Sequence, residues 1–223
     1  MPLPLPLPLP IHQTHNKPRI FITLHPRGKN SLGENRTRLG FSAYHWGILI
    51  SPRDAHSHLH SSSAAPASRG DHVHFDVTDS VYIDPATNEN SDDWRFRERR
   101  SSDPVAEFMI LGRVYVGKFH GQLSPAVSLS SASQRDFESG VVRLRERLSG
   151  ISVPRKELER EDNCVSWTKE AIAVLRDIGV VEEKFDIDEF MRVALGFADE
   201  CLHEIGENGT GGVLDYRTGK RLE

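Results

Sequence analysis

Cysteine is scarce in this chain, with Cys164 and Cys201 the only two among 223 residues. That scarcity excludes a disulfide framework and a cysteine-rich metal site, and it suits a reducing compartment. Long apolar runs are missing too. No stretch approaches the roughly 20 residues of a membrane helix, so no transmembrane segment and a cytoplasmic location are expected. A one-sided charge is also lacking: 28 Lys+Arg stand against 32 Asp+Glu, a formal net charge of -4. This disfavours a dedicated nucleic-acid binder, which needs a basic excess. What remains is 37% hydrophobic and 27% charged, the make-up of a soluble globular chain.

The N-terminus repeats Leu-Pro up to Pro10. Proline at every second position blocks the helical apolar segment of a secretory signal, so residues 1–18 read as a polyproline-like flexible tail. A single α+β domain is expected over 19–205, a small antiparallel sheet packed against helices, followed by a polar, turn-rich tail over 206–223. Arg19 to Leu24 has strand composition and runs into a turn from His25 to Asn30. A second strand lies near Phe41 to Ile50, its apolar residues nearly continuous and so covered on both faces. Residues 51–70, rich in Ser, His and Pro, read as an inserted loop. His72, His74, Asp76 and Thr78 alternate with Val73, Phe75 and Val77, which puts both histidines on one face of a strand. The charged stretch around Trp94 to Arg100 reads as an irregular loop. Strand character resumes over Val105 to Lys118. Helices are expected over Arg135 to Leu148, Val165 to Ile178 and Ile187 to Ile205, from apolar residues at helical spacing.

The chemistry concentrates around Cys164. A thiolate at the start of a helix is favoured by unsatisfied amides and the helix dipole, and Asn163 or Asp162 would cap that helix. His45 sits in an apolar strand that would hold an imidazole rigidly, and His74, or else His72, could take its second N–H and fix its tautomer.

The segments Tyr44-His45-Trp46-Gly47-Ile48, Val73-His74-Phe75 and Asn163-Cys164-Val165-Ser166-Trp167 resemble motifs of the circularly permuted papain-like (NlpC/P60-like) superfamily. The likeness is to its lecithin:retinol acyltransferase-like group. The resemblance implies a circularly permuted papain-like fold, with Cys164 as nucleophile, His45 as base and His74 as the orienting partner. The sequence departs from the family where Val165 and Ser166 stand in place of an acidic or aromatic residue, and in the long interval between its histidines. The activity so implied is acyl transfer or hydrolysis through an acyl-enzyme on Cys164. Asn163 and Trp167 would support the oxyanion or the helix cap. The substrate would be a small-molecule, lipid or peptide acyl compound, and no cofactor is expected.

Other activities stay open beside this one. One is an isopeptidase. Another is an amide-forming enzyme of fungal small-molecule biosynthesis, such as an arginine-containing cyclodipeptide synthase using aminoacyl-tRNA. The last is a non-catalytic interaction domain in which Cys164 merely packs. Arg95 and Arg97, with Arg99, Arg100 and the earlier arginines, are candidate contacts to a substrate anion. His56, His58, His60, His72 and His74 offer metal-ligand nitrogens, but the first three lie in a low-complexity loop and no specific metal is expected. His12, His15, His25, His120 and His203 read as ordinary surface or hydrogen-bonding residues. Cys201, inside a later helix, reads as structural.

Overall fold

A computed structural model describes residues 18–52, 71–83, 88–119, 132–155, 163–205 and 211–222. The Leu-Pro tail, nearly all of the inserted loop with His56, His58 and His60, and the alternative cap Asp162 lie outside the described residues, as do His12, His15 and His120.

The fold is a mixed α+β arrangement in which one large sheet packs against several helices. Its strands are β1 (Arg19–Pro26), β2 (Tyr44–Ser51), β3 (His72–Thr78), β6 (Arg95–Ser101), β7 (Gly112–Lys118), β8 (Gly212–Asp215) and β9 (Lys220–Arg221), in the order β6-β3-β2-β1-β7-β8-β9. Short strands β4 (Tyr82–Ile83) and β5 (Asn90–Ser91) pair only with each other. The helices are α1 (Gly33–Leu39), α2 (Pro104–Glu107), α3 (Ala132–Ser149), α4 (Cys164–Asp177) and α5 (Ile187–Ile205).

Four expectations need correcting, the simplest being the strand expected over Val105 to Lys118, which begins in helix α2 and is extended only over Gly112–Lys118. The charged stretch near Trp94 is a strand: Arg95 to Ser101 pairs residue for residue with β3 at the sheet edge. Its arginines fit because alternate ones lie over the buried carboxylate of Asp76, which a composition-based reading does not anticipate. The C-terminal segment is more than a polar tail, since β8 runs parallel to β7 and makes the sheet mixed. His25 continues β1 instead of starting a turn.

One sheet face is apolar. Ile20, Ile22, Leu24, Trp46, Ile48, Val73, Phe75 and Val77 belong to a single buried cluster with Leu144 and Leu148 of α3, Trp167 and Leu175 of α4, and Phe190 and Phe197 of α5. Each such fully buried large side chain contributes roughly 1.5–3 kcal/mol. Period-two alternation then sends Thr23, His25, His45, His74 and Asp76 to the opposite face. Pairing of Thr23 with Gly47, His25 with His45, Gly47 with Asp76, and Asp76 with Arg97 aligns them as a polar band across four strands. Phe108, just after α2, lies against this band, its ring centroid 5.5 Å from that of His74. Among the described residues no helix is long and apolar enough to cross a membrane.

Candidate functional site

Cys164 is the first residue of α4 and is buried. Its position is fixed by Asn163, whose side-chain oxygen accepts from the amide of Val165 at 2.7 Å, while the hydroxyl of Ser166 accepts from the amide of Asn163 at 3.1 Å. This reciprocal capping box satisfies donors that a helix start leaves open. The amide nitrogen of the Asn163 side chain also donates to Ser42 Oγ at 3.1 Å, in the turn that leads directly into β2. The start of α4 is thereby tied to the start of the strand carrying His45. Cys164 Sγ lies 4.0 Å from the carbonyl oxygen of Tyr44, the residue before His45.

His45 Nε2 donates to Asp76 Oδ2 at 3.1 Å. The His45 pKa rises to about 9: burial alone would lower it, but hydrogen bonding with Asp76 and with Cys164, and the negative charge on both, outweigh burial. Asp76 is completely buried. Burial would raise its pKa, yet hydrogen bonds from His45 and Arg97 hold the carboxyl well below the usual carboxylate range. Arg97 forks onto it, Nε to Oδ1 at 2.9 Å and Nη2 to Oδ2 at 2.7 Å, and Arg99 Nη2 adds a third cationic contact at 3.1 Å. Such charge-assisted bonds are about twice as strong as neutral ones.

His74 does not take the orienting position expected for it. In the β2–β3 register it stands opposite Leu49, four residues from His45, whereas Asp76 stands opposite Gly47 and is a diagonal neighbour of His45. His74 instead belongs to a buried chain of hydrogen bonds whose direction follows from its ends. Arg99 Nη2 can only donate, so His74 Nδ1 accepts, at 3.3 Å. His74 Nε2 then carries the proton and donates to Thr23 Oγ1 at 2.9 Å. The Thr23 hydroxyl donates to His25 Nε2 at 3.1 Å, and His25 Nδ1 donates to the carbonyl of Phe108 at 2.8 Å. Both imidazoles are neutral in this scheme. Burial above all, reinforced by the charge of His45, lowers the His25 pKa to about 3, and burial and its neighbour His25 push that of His74 well below its ordinary value. His72, the other candidate orienter, bonds Ser51 Oγ through Nδ1 at 2.9 Å.

The remaining predicted site residues are placed as follows. Trp167 is buried, 6.0 Å from the Phe96 ring, and its indole N–H has no hydrogen-bond partner among the described residues. Arg95 stacks 3.9 Å over Tyr82 and donates to the carbonyl of Ser80 at 2.7 Å. Cys201 is buried in α5, where a Cβ added at Gly212 would come within 2.7 Å of its sulfur. Burial raises its pKa. No group of three metal-ligating side chains occurs among the described residues.

Sequence reasoning missed Asp76 and Thr23. The signal for Asp76 was present in His72-Val73-His74-Phe75-Asp76, where alternation alone puts the carboxylate on the histidine face. Residues 17–136 match the model of a family described as "Family of unknown function (DUF6914)", 120 of the 223 residues. The matched segment contains His45, His74, Asp76, Arg97 and Arg99 and ends before Cys164. No curated protein and no solved structure matches the chain.

Proposed function

We propose, for a chain that belongs to this family of unknown function, cysteine-dependent acyl transfer or hydrolysis at Cys164. In this reading His45 is the acid–base residue and Asp76 the residue that positions it. One observation carries the reading: His45 is hydrogen-bonded to a buried carboxylate, and that carboxylate and the Cys164 sulfur together hold its proton up to about 9. The circularly permuted papain-like architecture belongs to the same proposal. Chain order supports it, with the histidine and carboxylate on adjacent early strands and the cysteine opening a later helix.

Asp76 holds the Nε2 proton of His45, leaving Nδ1 to exchange protons with the sulfur. Cys164 passes its proton to His45, and a sulfur lone pair forms a bond to the substrate carbonyl carbon as the carbonyl π pair moves onto oxygen. The Cys164 amide, first of α4, donates to that oxyanion. Collapse of the adduct breaks the bond to the leaving oxygen, nitrogen or sulfur, which takes the proton from His45 and leaves an acyl thioester on Cys164. Water or an amine then attacks the thioester while neutral His45 accepts its proton, and collapse returns the sulfur anion beside the imidazolium. Lipid, peptide, small-molecule and aminoacyl donors all present the carbonyl this sequence needs.

Incubation with p-nitrophenyl acetate followed by peptide mass spectrometry tests the reading. An acetyl adduct on Cys164, absent from Cys201 and lost in His45→Ala, is the expected result. No adduct on Cys164, together with alkylation by iodoacetamide no faster than at Cys201, would refute it.

A further inference from the structure

We propose that this site selects an anionic substrate, an acyl compound bearing a carboxylate or phosphate close to the reacting carbonyl. This inference rests on the thiol reading above and specifies its substrate class. Three cationic groups, His45, Arg97 and Arg99, converge on the single carboxylate of Asp76, all reaching Oδ2 within 3.1 Å. One anion among three cations leaves positive charge uncompensated even when Cys164 is ionised. That charge is accessible from outside, because the side chains of His45, Arg97 and Arg99 are 19%, 27% and 25% exposed whereas Asp76 is fully covered. A ligand approaching His45 from outside therefore meets the cations and not the carboxylate.

Among the described residues no second carboxylate pairs with His45, Arg97 or Arg99. On β1 and β3 the facing groups are His25, Thr23 and His74, and both histidines are neutral by their hydrogen bonds. On β6, Glu98 falls between Arg97 and Arg99 and so on the opposite face, where Arg100 and Arg145 take its two oxygens. Asp103, ahead of α2, caps the amide of Ala106. With no further carboxylate among the described residues paired to these cations, the unbalanced charge attracts an opposite one, and does so more strongly where it is partly desolvated than in bulk water.

Iodoacetate and iodoacetamide test this directly, since each forms a C–S bond to the attacking sulfur and expels iodide, and they differ chiefly in charge. The readout is the ratio of their rates at Cys164 in the full-length protein, divided by the same ratio for glutathione in the same buffer. The expected value favours iodoacetate by roughly fivefold or more, the size of one nearby unit charge. It should shrink as salt is raised, fall in Arg97→Gln, and recover in Arg97→Lys. Arg97 is the better position to vary because Arg99 also holds the buried histidine chain. Acetate and inorganic phosphate as competitors separate the two acidic groups: a carboxylate site is protected by acetate, a phosphate site by phosphate. Fast reaction with both reagents at the glutathione ratio overturns the inference while leaving the thiol reading standing. A Cys164 inert to both overturns the two together.

Discussion

His25 and His45 face each other across the β1–β2 pair, with ring centroids 5.6 Å apart, yet their proton affinities move in opposite directions, to about 3 and about 9. Burial acts the same way on both. The difference comes from the partner each ring touches: His25 donates to a neutral carbonyl and accepts from a hydroxyl, whereas His45 meets a buried carboxylate and a sulfur. A low-dielectric sheet face therefore produces a charged and an uncharged imidazole side by side, according to each ring's hydrogen-bond partners and the charges around it. The neutral pair, His25 with His74, forms scaffold, and the charged one is the base of the proposed thiol site.

The comparison breaks most severely at Asp76. Asp76→Ala leaves two arginines and His45 without their anion and should cost about 3–5 kcal/mol, read by chemical denaturation. It should also bring the His45 titration, followed by NMR of its ring protons, down from about 9. Gly47→Ala comes next. A Cβ there would lie 2.6 Å from His74 Cε1 and 3.0 Å from the carbonyl oxygen of Phe75, so His74 must move, at a cost of about 1–3 kcal/mol. Thr23→Val cuts the neutral chain by removing the hydroxyl between the two scaffold histidines. It should cost about 1–2 kcal/mol and leave the titration of His45 in place, a separation that would be lost if the two environments were one network.

Small pH steps sharpen the same contrast. The unfolded chain protonates His25 near its ordinary 6.5 and the folded chain only near 3, so stability falls as pH drops through that window. For His45 the folded state keeps its proton up to about 9 while the unfolded state releases it near 6.5. Its contribution is therefore complete below 6.5 and declines as pH rises toward 9. Denaturation midpoints across pH should decline on both sides, the alkaline decline vanishing in Asp76→Asn and the acid one persisting.

Much of the fold was legible because its elements obey local rules. The apolar run Tyr44 to Ile50, the alternation from His72 to Thr78 and the helical spacing in α3, α4 and α5 all correspond to observed elements. The Asn163 cap was readable for the same reason, since capping depends on residues adjacent in the chain. What escaped depends on register between distant segments. β6 reads as a loop until Asp76 supplies the anion that gathers Arg97 and Arg99. The choice of His74 over Asp76 turns on a two-residue offset between β2 and β3 that neither strand encodes by itself. β8 is too short for a pattern, and it joins the sheet only through its partner β7.

The most direct measurement of the central claim is the pH dependence of Cys164 alkylation by iodoacetamide in Asp76→Asn and His74→Ala, followed by peptide mass spectrometry with Cys201 as internal reference. With Asp76 positioning and charging His45, Asp76→Asn should suppress the reaction near neutral pH and shift its profile, while a folded His74→Ala retains the wild-type profile. Suppression by His74→Ala with an unaltered profile in Asp76→Asn would contradict it.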